Sequence, residues 1–546
     1  MAKKRILVLG GGFAGVYAAR ALRKRLGWDY EIELVNDVNY FVFQPFLPEV
    51  AGGLINSADA VTPLRDLLKG IHFRKAEVRS IDLDSRTVTV VQGTRRRLIP
   101  IACDHLVIAL GQRVDLGRLP GMNEHAFWVK NLADAHELRN HVIDCLEHAD
   151  VTTDSEARER LLNFVVVGAG FSGVETVGEI KELIDGVIAN YPNIGAEEIS
   201  VYLVEFAPRI LNELPEPLAA YAQQKLEQRG VEVRLGVGTV SATARRLTLT
   251  DGSTIRSNTI VATVGNVAHP LVEGLGLELD KGKIVVDRFL RAKGREDVWA
   301  VGDVALIPLV DSPSHRDDYA PPTAQFAVRE GGHVARNLAR GELGGELLSF
   351  SYESKGSLAS LGGRRAVALL FGLRLSGFIA WLIWKAFYLS FLPGFATRVR
   401  VLANWVLAAV LPRNTVQIQQ ANRPATRYYH FSKDDVVFEP GMIAQGFYVV
   451  IEGSFELTIE GDGETGGEPI VKTFGPGDHF GERVILGEGL RTGAVRALED
   501  SIVLIVSRDG FERFASAFPV LREYFENYIP RHFPTRATRV PEEPAT

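Results

Sequence analysis

The sequence predicts an α/β chain built from two copies of one strand–turn–helix unit, a basic apolar helical tract and a closing antiparallel β-roll. Three observations carry this. Two segments, "RILVLGGGFAGVYAARAL" at the start and "NFVVVGAGFSGVETVGEI" from Asn163, place an apolar strand before Gly-x-Gly-x-x-Gly and a small-residue helix. Between Ser354 and Lys433 there is no Asp or Glu, while eleven Lys and Arg fall among Trp, Phe and Leu. Beyond that tract, short strands with glycine turns recur at near-regular spacing, the pattern of a small roll. A length of 546 residues calls for several cores. With 46% hydrophobic and 23% charged residues, the composition excludes disordered, fibrous and disulfide-scaffold classes.

Each glycine of the repeated turn has a separate task. In Gly10-x-Gly12-x-x-Gly15 and Gly168-x-Gly170-x-x-Gly173, the first permits the tight turn, the second lets backbone approach a pyrophosphate, and the third packs helix on strand. The following helix start faces the phosphates with free N–H groups. The next strand of each unit should end in a ribose-binding group. In "SVYLVEFAPRIL" this is Glu205, which favours the free 2′-hydroxyl of NADH over a 2′-phosphate. In "IELVNDVNY" either Asn36 or Asp37 can serve. Two dinucleotide sites imply one resident redox cofactor and one exchangeable donor. The strand end "REDVWAVGDVA", with Gly302 and Asp303, resembles the second flavin motif of two-dinucleotide flavoproteins, in which the Asp contacts the ribityl and pyrophosphate part of FAD. Cys103 and Cys145 are the only cysteines, with neither CxxC nor metal-ligand spacing, and read as reduced structural thiols; no metal site is expected.

"NYFVFQPFLPEVAGG", "GAGFSGVETVGEI", "VGDVA", "APPTAQFAVREGGHVARN" and "KGSLASLGGRRAV" together resemble type II NADH dehydrogenase, the single-subunit NADH:quinone oxidoreductase, over about residues 4–415. The fold class this implies is two nested Rossmann-like dinucleotide-binding domains of the disulfide-reductase kind. The resemblance implies a resident FAD, NADH as substrate and a membrane quinone as acceptor, without proton pumping. Glu175, placed by sequence in the first helical turn after Gly173, is the candidate proton relay, with Glu179 second; its alternative is a charge complementing the helix dipole. In the family the stretch matching "PPTAQFAVREG" flanks flavin and quinone, which makes Gln325 a polar quinone contact; a second Gln common there is Arg329 here. The alternative for Gln325 is packing or capping of its own helix. A sulfide- or other-donor:quinone oxidoreductase, and a non-catalytic redox or nucleotide sensor, are the other functional readings.

The tract Leu375–Leu411 holds uncharged runs too short to cross hydrocarbon. Two interfacial helices broken at Pro393-Gly394, with Arg398 and Arg400 reaching lipid headgroups, fit it best; a buried pair and a re-entrant span are alternatives. An anionic bilayer surface is the expected partner rather than nucleic acid, and a homodimer is compatible with the chain. "MAKK" runs directly into a strand with no secretory leader, giving the expectation of the cytoplasmic face of the inner (plasma) membrane.

From about residue 428 to 528 the chain resembles the cyclic nucleotide-binding domain. That family implies a phosphate site at Gly481, Glu482 on the ribose and Arg491 on the cyclic phosphate, with cAMP or cGMP as effector; Thr492 leaves the base open. Gly493 replaces the family's small Ala, and Arg483 adds a charge. The expected division is 1–120 and 283–355 for the two parts of the FAD domain, 121–282 for NADH, 356–412 for the membrane helices, 413–427 for a linker, 428–528 for the roll and 529–546 for a solvated tail.

Overall fold

The computed structural model describes residues 3–93, 97–417, 426–440, 442, 446–459, 470–481 and 491–507. They form two compact units. The first comprises residues 1–116, 127–238 and 259–416; the second joins 117–126 and 239–258 to the C-terminal residues from 417.

In the first unit, the apolar run Arg5–Leu9 lies at the centre of a parallel sheet in the order Val298–Ala300, His105–Ile108, Arg5–Leu9, Glu31–Asn36, His72–Lys75. A second sheet repeats the plan, with Asn163–Val167 paired in parallel to Thr259–Ala262 and Ser200–Glu205, and the latter to Val231–Leu235. The inner strands, buried on both faces, are nearly continuous in Val, Ile and Leu, while the edge strands His72–Lys75 and Val231–Leu235 are partly exposed. The antiparallel crossovers Gln112–Val114 and Asn266–Ala268 pair with one another. Helix α1 (Phe13–Leu26) leaves the first glycine turn and α3 (Phe171–Val187) the second. A short helix α2 (Leu47–Ala51) and the long α4 (Ala324–Glu342) complete the packing. Gly331 of α4 must be glycine because a Cβ there would stand 2.3 Å from the Ala14 carbonyl of α1.

The apolar tract forms α5 (Gly377–Phe391) and α6 (Phe395–Val410), separated at Pro393-Gly394. Their inner faces follow helical spacing: Ala380, Trp384 and Lys385 on α5 and Thr397 and Val401 on α6 are buried. Phe378, Ile379 and Leu382, with Val399, Leu402 and Val406, face outward. The face carrying Trp384 and Lys385 therefore meets protein, and the opposite one is the exposed apolar surface. Arg398, exposed on α6, donates to the Leu392 and Ser390 carbonyls at 2.7 and 2.9 Å and caps the end of α5. Among the described residues no helix is long and apolar enough to cross a membrane.

The second unit contains two four-stranded antiparallel sheets around Phe431, Phe438, Phe455, Phe474 and Phe480. It also holds a three-stranded sheet, Thr239–Ala242, Arg246–Leu249 and Thr254–Arg256, tied to residues 117–126 where Ala242 N donates to Pro120 O at 2.9 Å.

Candidate functional site

The two glycine turns have the same geometry for the same reason. Gly10 and Gly168 take φ of 107° and 97°, where a side chain is strained. A Cβ on Gly15 would lie 2.0 Å from Gly10 O, and one on Gly173 1.8 Å from Gly168 O. Over Gly12 and Gly170 nothing stands within 4 Å of a Cβ position, which leaves the backbone open to a ligand. The strand-end acceptors brace these turns: Asn36 Oδ1 takes the Gly11 N–H at 2.7 Å, and Glu205 Oε2 takes the Ala169 N–H at 2.5 Å. Glu205 Oε1 also accepts from Ala207 N at 2.9 Å, fixing the carboxylate at the mouth of the second turn. Asn36 rather than the exposed Asp37 holds the corresponding place in the first. Gly173→Ala is expected to destabilise the second turn by about 1–3 kcal/mol through overpacking. Thermal melting of the purified variant against wild type checks this.

At the third motif, Gly302 turns with φ 75° and donates its N–H to Glu330 Oε2 at 2.8 Å. Burial pushes the Asp303 carboxyl up, opposed by Lys130 and Lys283. Glu330 is 2% exposed, and burial raises it to about 8. Sequence reasoning missed this residue. Its signal was an acid on the buried stripe of α4, among Phe326, Ala327, Gly331 and Val334. A carboxyl whose folded pKa exceeds its unfolded value loses its stabilising contribution as pH rises. Wild-type protein should therefore lose thermal stability relative to Glu330→Gln between about pH 4, where both states hold the proton, and about pH 8. Parallel melting curves over that range check this.

The third cluster joins α2, α3, α5 and α6. Glu175 stands in the second turn of α3, because the helix already begins at Phe171, so it lies too far along to complement the dipole as a first-turn charge. Its Oε1 accepts from Ser360 N at 3.0 Å and from Trp384 Nε1 at 2.9 Å. Burial raises its carboxyl to about 8 despite these bonds, with Glu49 and Glu179 adding to the rise. Glu179, one turn on, is also driven up by burial, and its Oε2 is buried without a hydrogen-bond partner among the described residues. Lys385 pairs with Glu49 Oε1, while Trp405 Nε1 donates to Glu49 Oε2 at 2.8 Å. The ammonium lies 4.0 Å from the Trp405 ring centroid. At the outer end of the stripe, Glu182 Oε2 accepts from Arg229 and from Gly363 N, each at 2.7 Å.

In the second unit, Arg491 donates to Gly481 O at 2.9 Å and Gly446 O at 2.6 Å, with its guanidinium 4.1 Å from the Phe438 ring centroid. Gly481 has φ 81°. Thr492 is exposed, and Glu482 lies outside the described residues. Gly493 is glycine for a local reason: a Cβ would stand 2.8 Å from Thr458 O.

Comparison with known proteins decides the family. The pyridine nucleotide-disulphide oxidoreductase model matches residues 4–331, the NDH2 C-terminal domain 354–414 and the cyclic nucleotide-binding domain 429–518. The chain is 32% identical over 422 residues to type II NADH:quinone oxidoreductase NdhA of Mycobacterium tuberculosis, spanning 74% of this chain and 86% of that protein. It is 30% identical over 381 residues to type II NADH:quinone oxidoreductase of Staphylococcus aureus, spanning 69% and 92%. The chain belongs to the type II NADH:quinone oxidoreductases. NDH2 from Plasmodium falciparum, solved in complex with NADH, shares the fold at 19% identity and TM-score 0.70, over 76% of this chain and 100% of that one. The sulfide:quinone oxidoreductase of Aquifex aeolicus does so at 19% and 0.57, over 75% and 95%.

In this type II oxidoreductase, Glu175 and Gln325 have separate surroundings. Gln325 Nε2 donates to Gly356 O at 2.9 Å, and its Oε1 accepts from Tyr352 OH at 3.2 Å. Arg329 lies 5.1 Å from the same Tyr352 ring centroid, so this tyrosine gathers both positions at the start of α4. Cys103 and Cys145 are buried, which raises their thiols to about 11 and about 12. Glu49, Glu330, Tyr352 and Trp405 were not legible as site residues, because each acquires its partner only across a long stretch of chain.

Proposed function

We propose that this enzyme transfers two electrons from NADH through FAD to a membrane quinone without pumping protons, and that a cyclic nucleotide bound to its roll regulates it. The observation that carries the catalytic part is Glu175: one carboxyl ties the helix leaving the NADH turn to the indole of apolar α5. The residues fit a resident FAD, since Gly12 leaves its turn open and Gly302 and Asp303 form a tight polar turn over a buried carboxyl. Gly10, Gly12, Gly15, Asn36, Asp37, Gly302 and Asp303 would hold it. FAD, when bound, accepts hydride from NADH and supplies two electrons to the quinone.

The protein's own residues position and protonate. Gly168, Gly170 and Gly173 receive the NADH pyrophosphate, and Glu205, fixed by two amides, selects the unphosphorylated ribose. NADH, one further proton and quinone give NAD⁺ and quinol. Glu182, Glu179 and Glu175 follow one face of α3 at spacings that stack side chains, from a half-exposed end to a buried one. They carry that proton inward, and a Glu175 carboxyl raised to about 8 holds it at neutral pH. The outward apolar faces of α5 and α6 would lie in the headgroup region on the cytoplasmic side, delivering the site to a lipid-dissolved acceptor. Gln325 and Tyr352 would orient the quinone head. A bound nucleotide's phosphate would take Arg491 from its carbonyls, with Gly481, Glu482 and Thr492 completing the pocket.

The experiment is NADH oxidation by purified protein with a soluble quinone, with and without cAMP or cGMP. A yellow protein bleached by NADH and reoxidised by quinone supports the reading. A colourless protein that stays so after incubation with FAD sinks it. Bleaching by sulfide but not NADH would favour the other-donor alternative.

A further inference from the structure

We infer that the cyclic-nucleotide roll acts on the NADH half-reaction, through the strand Val436–Phe438 and the turn carrying Arg245 and Arg246, rather than on membrane docking. This rests on the proposed nucleotide site at Arg491.

The roll's compact unit takes in two excursions of chain from the NADH half, 117–126 and 239–258, while α5 and α6 belong wholly to the other unit. Within that unit the attachments are polar and specific. Arg245 donates to the Val436 carbonyl, and Arg246 Nη2 lies 3.9 Å from Asp435 Oδ1. His430 N donates to His125 Nε2 at 2.9 Å. Asp435 is held in place: its Oδ2 accepts from Ser432 N at 2.8 Å and its carbonyl from Ala497 N at 2.9 Å.

The same short strand touches the ligand arginine. Phe438, two residues after Val436, lies under the Arg491 guanidinium at 4.1 Å. Three residues after Arg491 begins the strand Ala494–Ala497, which pairs with Val436–Phe438 and ends at the residue clamping Asp435. An anion that turns Arg491 from Phe438 and from the Gly446 and Gly481 carbonyls thus perturbs both supports of the Asp435–Val436 turn. The link between the roll and the turn is made by the Arg245 and Arg246 guanidinium groups, which is why these two side chains are the ones to remove.

The other end is covalent. Ser257 N donates to Arg245 O at 2.9 Å, and the chain then enters Thr259–Ala262, the strand paired beside the NADH turn. Thr263, the next residue, donates from Oγ1 to Gly168 O at 3.0 Å. The excursion 117–126 in turn follows the crossover Gln112–Val114, where Asp115 N donates to Gly265 O at 2.9 Å. Both excursions therefore return directly into elements beside the Gly168 turn and the crossover at Gly265.

The test uses the full-length protein. Calorimetry first establishes whether cAMP or cGMP binds; the affinity for NAD⁺ and the rate of NADH-driven ferricyanide reduction, which needs no quinone, are then measured with and without it. The expected result is a change in NAD⁺ affinity of roughly 5-fold or more, and by linkage an equal change in nucleotide affinity on adding NAD⁺. Arg245→Ala should keep nucleotide binding and basal turnover but lose that response, with Arg246→Ala as a second variant should the first fold poorly. A nucleotide that binds yet shifts only quinone KM or liposome flotation overturns the inference and leaves the effector reading standing. It is overturned equally if Arg245→Ala and Arg246→Ala both respond like wild type. Absence of binding heat for both nucleotides removes the effector reading and this route with it.

Discussion

Glu175→Gln is expected to lower quinone reduction by about 100-fold or more, the usual scale for losing a positioned proton donor. NADH-driven reduction of ferricyanide, an acceptor that takes electrons without protons, should change little. The substitution is close to isosteric, and one amide oxygen can still accept from Ser360 N and Trp384 Nε1, so packing is retained. What is lost is a group that gives and recovers a proton. The wild-type carboxyl is raised to about 8, chiefly by burial, so its protonated fraction falls as pH rises through that value. Wild-type quinone turnover should decline above about pH 8, and the variant should lack this limb. Equal loss with both acceptors would show that Glu175 is structural. Glu179→Gln should give a smaller version of the same split.

Lys385→Met is expected to destabilise the first unit by about 3–5 kcal/mol, the scale for leaving half of a buried ion pair uncompensated. Glu49 is 1% exposed, and the lysine is its cationic partner there. Removing the ammonium leaves three buried carboxyls, Glu49, Glu175 and Glu179, and breaks the link from α5 to α2. Thermal or urea unfolding followed by flavin release measures the effect. The double variant Glu49→Leu with Lys385→Met should recover much of the loss, because removing both charges together is close to neutral in many cores. A single variant as stable as wild type would refute this account of how α5 is anchored. Ala380 and Trp384 are buried beside the pair, and Ile379 and Leu382 on the far side of the helix face out.

Some of this site was readable from local chemistry. The glycine turns were, because a tight turn, an open approach and a close helix each require a missing Cβ at a set spacing, and those requirements act within six residues. Glu205 was readable because strand length places the next strand's end beside the first turn. The apolar tract was recognised as helical, and the break at Pro393-Gly394 is where the structure has it. Its inner face was less legible: Trp384, Lys385 and Tyr388 form an amphipathic stripe that suits an interface as well as a core, and nothing in the tract marks its partner. Glu330 was hidden for a related reason, since an acid inside an apolar stripe reads as an exception until the amide of Gly302 is seen above it.

By itself the sequence determined the two dinucleotide units, their order, the apolar helices and the β-roll, because backbone sterics and hydrophobic period are written in neighbouring residues. Only the tertiary structure decided that Glu49 meets Lys385 across 336 positions, that Glu175 accepts from the Trp384 indole, and that the roll's unit includes Arg245 and Arg246. Desolvation and charge pairing depend on which distant groups exclude water together, and that is settled only when the chain has closed on itself.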